Sequence, residues 1–275
     1  MTDVDVLLVT HDRADYLARS LPRLLESLPA SANLWIWRNG SHPGVGEVLE
    51  AHLGDPRIAE FHHSVENVAL AEPTRWLWTR SQATLLGKVD DDCLMPDGWV
   101  ETFVRAHEDV ADLGVVAAWH FLPEDLLAEA EQYRVQRLAG GHALLRNCWV
   151  GGSGYLMKRS AVSVEEFEGV DESFTRYCIH LARRRWLIGW YYPLVLQDHM
   201  DDPRSPHTGI RSDADLVARM PLSTQRLSSS VTVDAWRAQI EASAKTVQTA
   251  SLRPLDHSGG LLGRLARLRR PKIRL

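Results

Sequence analysis

The chain has 275 residues, 45% hydrophobic and 24% charged, enough to bury the core of one large domain without covalent staples. A formal charge of −5 argues against bulk nucleic-acid binding. Cys93, Cys148 and Cys178 are odd in number and lack CxxC spacing, which excludes a disulfide framework or a zinc ribbon.

No stretch approaches the ~20 apolar residues of a membrane span, and the first five residues have no basic region before an apolar run. The expectation is a soluble, cytoplasmic protein.

Residues 4–10 (VDVLLVT) form a nearly continuous apolar run, as a strand buried on both faces requires. After the polar HDRAD, Leu17, Leu21, Leu24, Leu25 and Leu28 recur at helical spacing, with Pro22 expected to kink or restart the helix. Residues 34–37 (LWIW) read as a second strand, with Trp35 and Trp37 alternating onto one packed face, stopped by Asn39-Gly40-Ser41. A short strand is expected over 57–61, a helix over 73–82, and a strand over 83–89 leading into Asp90-Asp91-Asp92. A helix from Pro96 to about Glu108 and a strand over 115–119 follow.

Strands alternating with helices predict an α/β fold with a mostly parallel sheet flanked by helices. In such sheets ligands bind beyond the carboxyl ends of the strands. Thr10-His11-Asp12-Arg13, Asn39-Gly40-Ser41 and the triple aspartate all fall at strand ends, so one crevice can collect them. Further on, Ser228-Ser229-Ser230 reads as a loop, Trp236, Ile240, Ala244 and Val247 as a helical stripe, and Ser258-Gly259-Gly260 as a hinge.

Chemistry concentrates at Lys88-Val89-Asp90-Asp91-Asp92. Neighbouring carboxylates at the end of a buried strand repel one another unless a cation sits among them. A hard divalent ion, Mn²⁺ or Mg²⁺, resolves that conflict while bridging to phosphates. A solvated acidic turn is the bland alternative. The apolar run that delivers the motif to the sheet edge favours the metal.

Taken in order, these segments resemble family 2 glycosyltransferases of the GT-A fold. DVLLVTHDRADYL is similar to their opening VSVVIPTYNRxxxL, IWRNGS to VVDNGS, and Glu66-Asn67-Val68-Ala69-Leu70-Ala71 to ENxGxAxAxN. KVDDDCLMPDGW resembles their DxD line, and the segment from Trp149 through Gly151 and Gly152 to Arg159 their GGxxxxxRR acceptor-side stretch. Gly169-Val170-Asp171-Glu172 resembles GGFDE, and Tyr192-Pro193 with Asp198-His199 the YVP…H ending. The match runs from about residue 4 to 200.

The resemblance implies a GT-A domain over 1–210, with a nucleotide-sugar half to about 115 and an acceptor half over 116–210, then a helical extension over 211–275. It implies transfer of a sugar from a nucleotide diphosphate to an acceptor hydroxyl with inversion. Thr10, Arg13, Asn39 and Asn67 would line the nucleotide pocket, Asp90 or Asp91 would touch the ribose, and Lys88 would add positive charge. Asp92 and His199 would hold the metal, and Trp149, Gly151 and Gly152 would face the acceptor, of unknown chemistry.

Two departures stand out. Relatives follow GGFDE with an ED pair that supplies the catalytic base, whereas this chain runs Asp171-Glu172-Ser173-Phe174-Thr175-Arg176. That leaves Asp171 or Glu172 as the candidate base, with His180 behind them and helix capping as the alternative role of both acids. Arg38 replaces an aspartate that contacts the nucleotide base, and an arginine cannot accept the imide hydrogen of uracil.

Residues 261–275 place leucines at helical spacing among arginines, a pattern suited to an anionic membrane surface or to a solvated end. Two other classes compete: a sugar-nucleotide nucleotidyltransferase, which lacks its glycine-rich loop here, and a non-catalytic binder of nucleotide sugars, supported by the missing ED pair.

Overall fold

In the computed structural model, residues 2–219 and 232–257 are described. The serine loop, the glycine hinge and the basic tail expected from the sequence lie outside them. The first half of the chain alternates strand and helix as its patterning demands. Strands β1 (Val4–Thr10), β2 (Ala32–Asn39), β3 (Ile58–Ser64) and β4 (Leu85–Asp90) alternate with helices α1 (Ala14–Ser27), α2 (Pro43–Glu50) and α3 (Ala71–Arg80). A short β5 (Cys93–Leu94), α4 (Trp99–Asp109) and β6 (Leu113–Ala117) follow.

The second half contributes α5 (Ala128–Arg134), β7 (Val135–Arg137), β8 (Ala143–Arg146), β9 (Tyr155–Lys158), α6 (Val164–Glu168) and α7 (Phe174–Arg183). Then come β10 (Leu187–Tyr191), β11 (Asp198–His199), α8 (Asp213–Arg219) and α9 (Val233–Thr249).

Nine strands form one sheet in the order β3-β2-β1-β4-β9-β6-β10-β8-β7. Its first four neighbours are parallel, as expected. β9 was not foreseen: it runs antiparallel between β4 and β6. β11 pairs with β5 in a separate two-stranded ribbon, placing His199 opposite Cys93.

Alternation along the central strands sorts the core onto two faces. Val6 and Leu8 pack with Leu17 and Leu21 of α1, Val45 of α2 and Phe103 of α4. Leu7, Val9, Trp35 and Trp37 pack on the other side with Trp78, Phe167, Tyr177 and, from α9, Ile240 and Ala244. The two strand tryptophans therefore share one packed face. The stripe expected at Trp236, Ile240, Ala244 and Val247 is the contact surface of α9.

Pro22 does not restart the helix. α1 runs through it as a single helix, because Leu17, Leu21, Leu24 and Leu25 bury one continuous stripe across the position of the lost N–H. Among the described residues, no helix is long and apolar enough to cross a membrane.

Candidate active site

The carboxyl ends of β1 and β4 lie side by side, with Val9 paired to Asp90. Just past them, the side chain of Arg13 enters a nest of acids. Its guanidinium donates to Asp91 at 2.5 Å, to Asp92 at 3.1 Å and to Asp201 at 2.7 Å. All three acids are buried. Three carboxylates against one guanidinium leave a surplus of acidic groups, which a protonated His199 beside Asp92 offsets only in part.

That surplus shows in the ionisation. Burial raises Asp91. Burial works the same way on Asp92, but Arg13 and then His199 outweigh it and hold this carboxyl well below the ordinary range. Burial and the charge of Asp92 push Asp201 up to about 7. Burial opposes protonation of His199, yet contact with Asp92, backed by Asp201 and Asp202, drives it up to about 9. Such a cluster favours positive charge.

Its donor set fits a divalent ion. Ligand atoms of Asp92, Cys93 and His199 lie within 4.8 Å of one another, and His199 Nε2 is 3.8 Å from Asp92. Carboxylate and imidazole are both ligands for such ions. Of the residues expected from the sequence, Asp92 and His199 are brought together. Asp201 was missed; its signal is the acid run Asp198-His199-Met200-Asp201-Asp202, which reads as a solvated turn when taken alone.

A second cluster forms beside β2. Buried Asn39 donates to Asn67 Oδ1 at 2.6 Å and to Val68 O at 2.8 Å, and its own carbonyl side chain accepts from Val68 N at 2.8 Å. His11 Nδ1 meets Asn39 O at 2.9 Å and its Nε2 meets Asn67 Nδ2 at 3.1 Å. The donor–acceptor logic assigns Nδ1–H and a basic Nε2. Gly40 closes this corner at φ +81°, where an added Cβ would sit 3.0 Å from His11. Thr10 is buried at the strand end below. His11 belongs to this rim although sequence reasoning gave it no role.

Lys88 and Asp90 form a third group. Buried Lys88 pairs with Asp90 and donates to Gly152 O at 3.1 Å, while Asp90 N donates to Ser153 Oγ at 2.9 Å. The Gly151-Gly152 turn is thus strapped to the acidic strand end. Trp149 is half-buried, edge-on to His257 at 4.9 Å.

The remaining expected residues lie elsewhere. Exposed Asp171 pairs with Arg176, and Glu172 pairs with Arg75 of α3. His180 faces Glu166 at 3.4 Å. Arg38 donates to His42 O at 2.9 Å and lies against Gly46 of α2, an orientation taken up by the helix rather than by the crevice.

A cavity of about 430 Å³ opens beside the acid cluster. His120, Asp198, His199, Asp202 and His207 supply part of its polar lining, with Arg23 and Gln197, and Leu94, Phe121 and Leu196 part of its apolar wall. Burial depresses His120 to about 3, so its imidazole is neutral.

This architecture is that of the GT-A glycosyltransferases. The mannosyltransferase PcManGT from Pyrobaculum calidifontis, solved with GDP-Man and Mn²⁺, matches at a TM-score of 0.57 and 14% identity, over 96% of this chain and 78% of its own. GalNAc-T7, solved with UDP, GalNAc and Mn²⁺, matches at 0.54 and 10% identity, over 72% of this chain and 44% of its own. At these identities the likeness establishes the fold. The family model for glycosyl transferase family 2 matches residues 5–162, and the chain belongs to that family: it is a glycosyltransferase.

Proposed function

We propose that the protein is a metal-dependent glycosyltransferase that moves a sugar, with inversion, from a nucleotide diphosphate to an acceptor hydroxyl. The carrying observation is the acid cluster at the sheet mouth, whose surplus of acidic groups suits a divalent cation and whose Asp92 and His199 offer it ligands. Both structural neighbours were solved with Mn²⁺ and a nucleotide or nucleotide sugar, which supports the same donor class here.

In this reading Asp92 and His199 hold Mn²⁺ or Mg²⁺. The bound ion supplies Lewis-acid stabilisation of the departing diphosphate. Thr10, His11, Asn39 and Asn67 form the nucleotide rim, the last three prealigned by their mutual hydrogen bonds so that little ordering remains on binding. Arg13 fixes Asp92 in place and Lys88 fixes Asp90 and the Gly151-Gly152 turn, positioning the acceptor side, which includes Trp149. The nucleotide-sugar half spans about 1–115 and the acceptor half about 116–210, with 211–275 an extension.

Calorimetry with Mn²⁺ and GDP or UDP, followed by diphosphate release from a panel of GDP- and UDP-sugars, tests the proposal. Metal-dependent binding and release are expected of the wild type, and Asp92→Ala abolishes both while its thermal melt stays cooperative. A wild type that neither binds nor turns over any donor refutes it, and binding without turnover on any acceptor marks a non-catalytic binder.

A further inference from the structure

The acids expected to serve as base, Asp171 and Glu172, are committed to Arg176 and Arg75 and do not line the cavity beside His199. The cavity wall carries a different pair. Asp198 is fixed by Ser205, whose hydroxyl donates to its Oδ1 at 2.6 Å, and its Oδ2 lies 2.5 Å from Nδ1 of His207. Ser205 Oγ in turn accepts the backbone N–H of His207 at 3.0 Å. A carboxylate on Nδ1 fixes that nitrogen as the N–H and leaves Nε2 as the basic atom. His207 lines the same cavity as His199, and its side chain is half exposed.

We propose that His207, oriented by Asp198, is the general base that activates the acceptor hydroxyl. The inference rests on the glycosyltransferase reading and supplies the base that reading lacks. The acceptor O–H gives its proton to Nε2 of His207 as its oxygen bonds to the anomeric carbon. The bond from that carbon to the diphosphate oxygen breaks, and its electron pair leaves with the nucleoside diphosphate. The imidazolium then returns its proton to solvent. Asp198 keeps the ring in the required tautomer and offsets the charge that forms on it, as a buried acid does beside a catalytic histidine. The other ionisable groups facing the same cavity are Arg23, His120, His199 and Asp202.

With water as the acceptor, the reaction is read as diphosphate release from GDP-mannose and UDP-sugars with Mn²⁺. His207→Gln should lower kcat by about 10²-fold or more, with KM and the calorimetric affinity for Mn²⁺ with GDP or UDP within about threefold of wild type. His207→Gly should regain rate on addition of imidazole, which a merely structural histidine does not permit. Asp198→Asn, by favouring the wrong tautomer, should also depress kcat and move the ascending limb of the pH profile. Turnover of His207→Gln within threefold of wild type overturns the assignment, as does a loss confined to Asp171→Asn or Glu172→Gln, or a wild type that binds nucleotide and releases none. Failure of the wild type to bind any nucleoside diphosphate with Mn²⁺ overturns both this inference and the function beneath it, and is distinguished by the calorimetry alone.

Discussion

Replacing Arg13 with methionine removes the guanidinium that pairs with all of Asp91, Asp92 and Asp201 while keeping most of the side chain's apolar stem. The guanidinium sits 2.5 to 3.1 Å from all three carboxylates, and its side chain is 18% exposed against 2%, 11% and 5% for theirs. Breaking a buried ion pair from one side costs about 3–5 kcal/mol, because the remaining charge is stranded in low dielectric. For a chain of this size that is a fall of roughly 10 °C in Tm.

The loss has a signature in pH. Without the guanidinium the folded-state pKa values of all three acids rise, those of Asp91 and Asp201 from a level already above the unfolded chain's, so the variant regains stability relative to wild type as pH falls and they take up protons. Urea denaturation at pH 7 and pH 5 measures both effects. A variant within 1 kcal/mol of wild type at pH 7, or one with the same deficit at both pH values, would show that Arg13 does not neutralise the cluster.

Burial holds the His107 imidazole neutral, with its pKa depressed from 6.5 to about 4. The unfolded chain therefore binds a proton that the folded one refuses, and stability is lost as pH falls from about 6.5 towards 4, by about 3 kcal/mol in total; His107→Gln should flatten that slope in urea titrations. Gly154 sits at φ +68° with an added Cβ only 2.4 Å from Gln197 Oε1, so Gly154→Ala should cost about 2 kcal/mol by chemical denaturation. A cost below 0.5 kcal/mol would mean that Gln197 swings away freely. Asn39→Ala breaks three hydrogen bonds of the nucleotide rim, and weaker GDP or UDP binding by about tenfold is expected in calorimetry, with no change in metal stoichiometry.

The central strands were legible because burial on both faces leaves a mark in composition: VDVLLVT and LWIW have almost no polar interruption. α9 was legible for the complementary reason, a narrow stripe at helical spacing. β9 was not, since Tyr155-Leu156-Met157-Lys158 is short, lacks β-branched residues and follows a glycine-rich turn; its strand state comes from the gap between β4 and β6 that it fills. Pro22 leaves α1 unbroken because local propensity is a weak prior against four buried leucines.

Among the site residues, Asp92 and His199 could be paired from their resemblance to a known pattern. The roles of Asp201, Ser205 and His207 depend on how a short segment folds back over α1, which no periodicity encodes. Arg38 shows the converse: its identity was read as a statement about the nucleotide, while its guanidinium is spent on the carbonyl of His42.

One phenol ties that fold-back at two points. The hydroxyl of Tyr16, buried in α1, donates to Met200 O at 2.8 Å and accepts from Gly209 N at 3.0 Å. A single oxygen atom therefore latches both ends of the loop that bears His207, just beyond His199. The centre is thus built from both ends of the chain: residues of the first helix form the seat, and residues that come late in the sequence are clasped onto it.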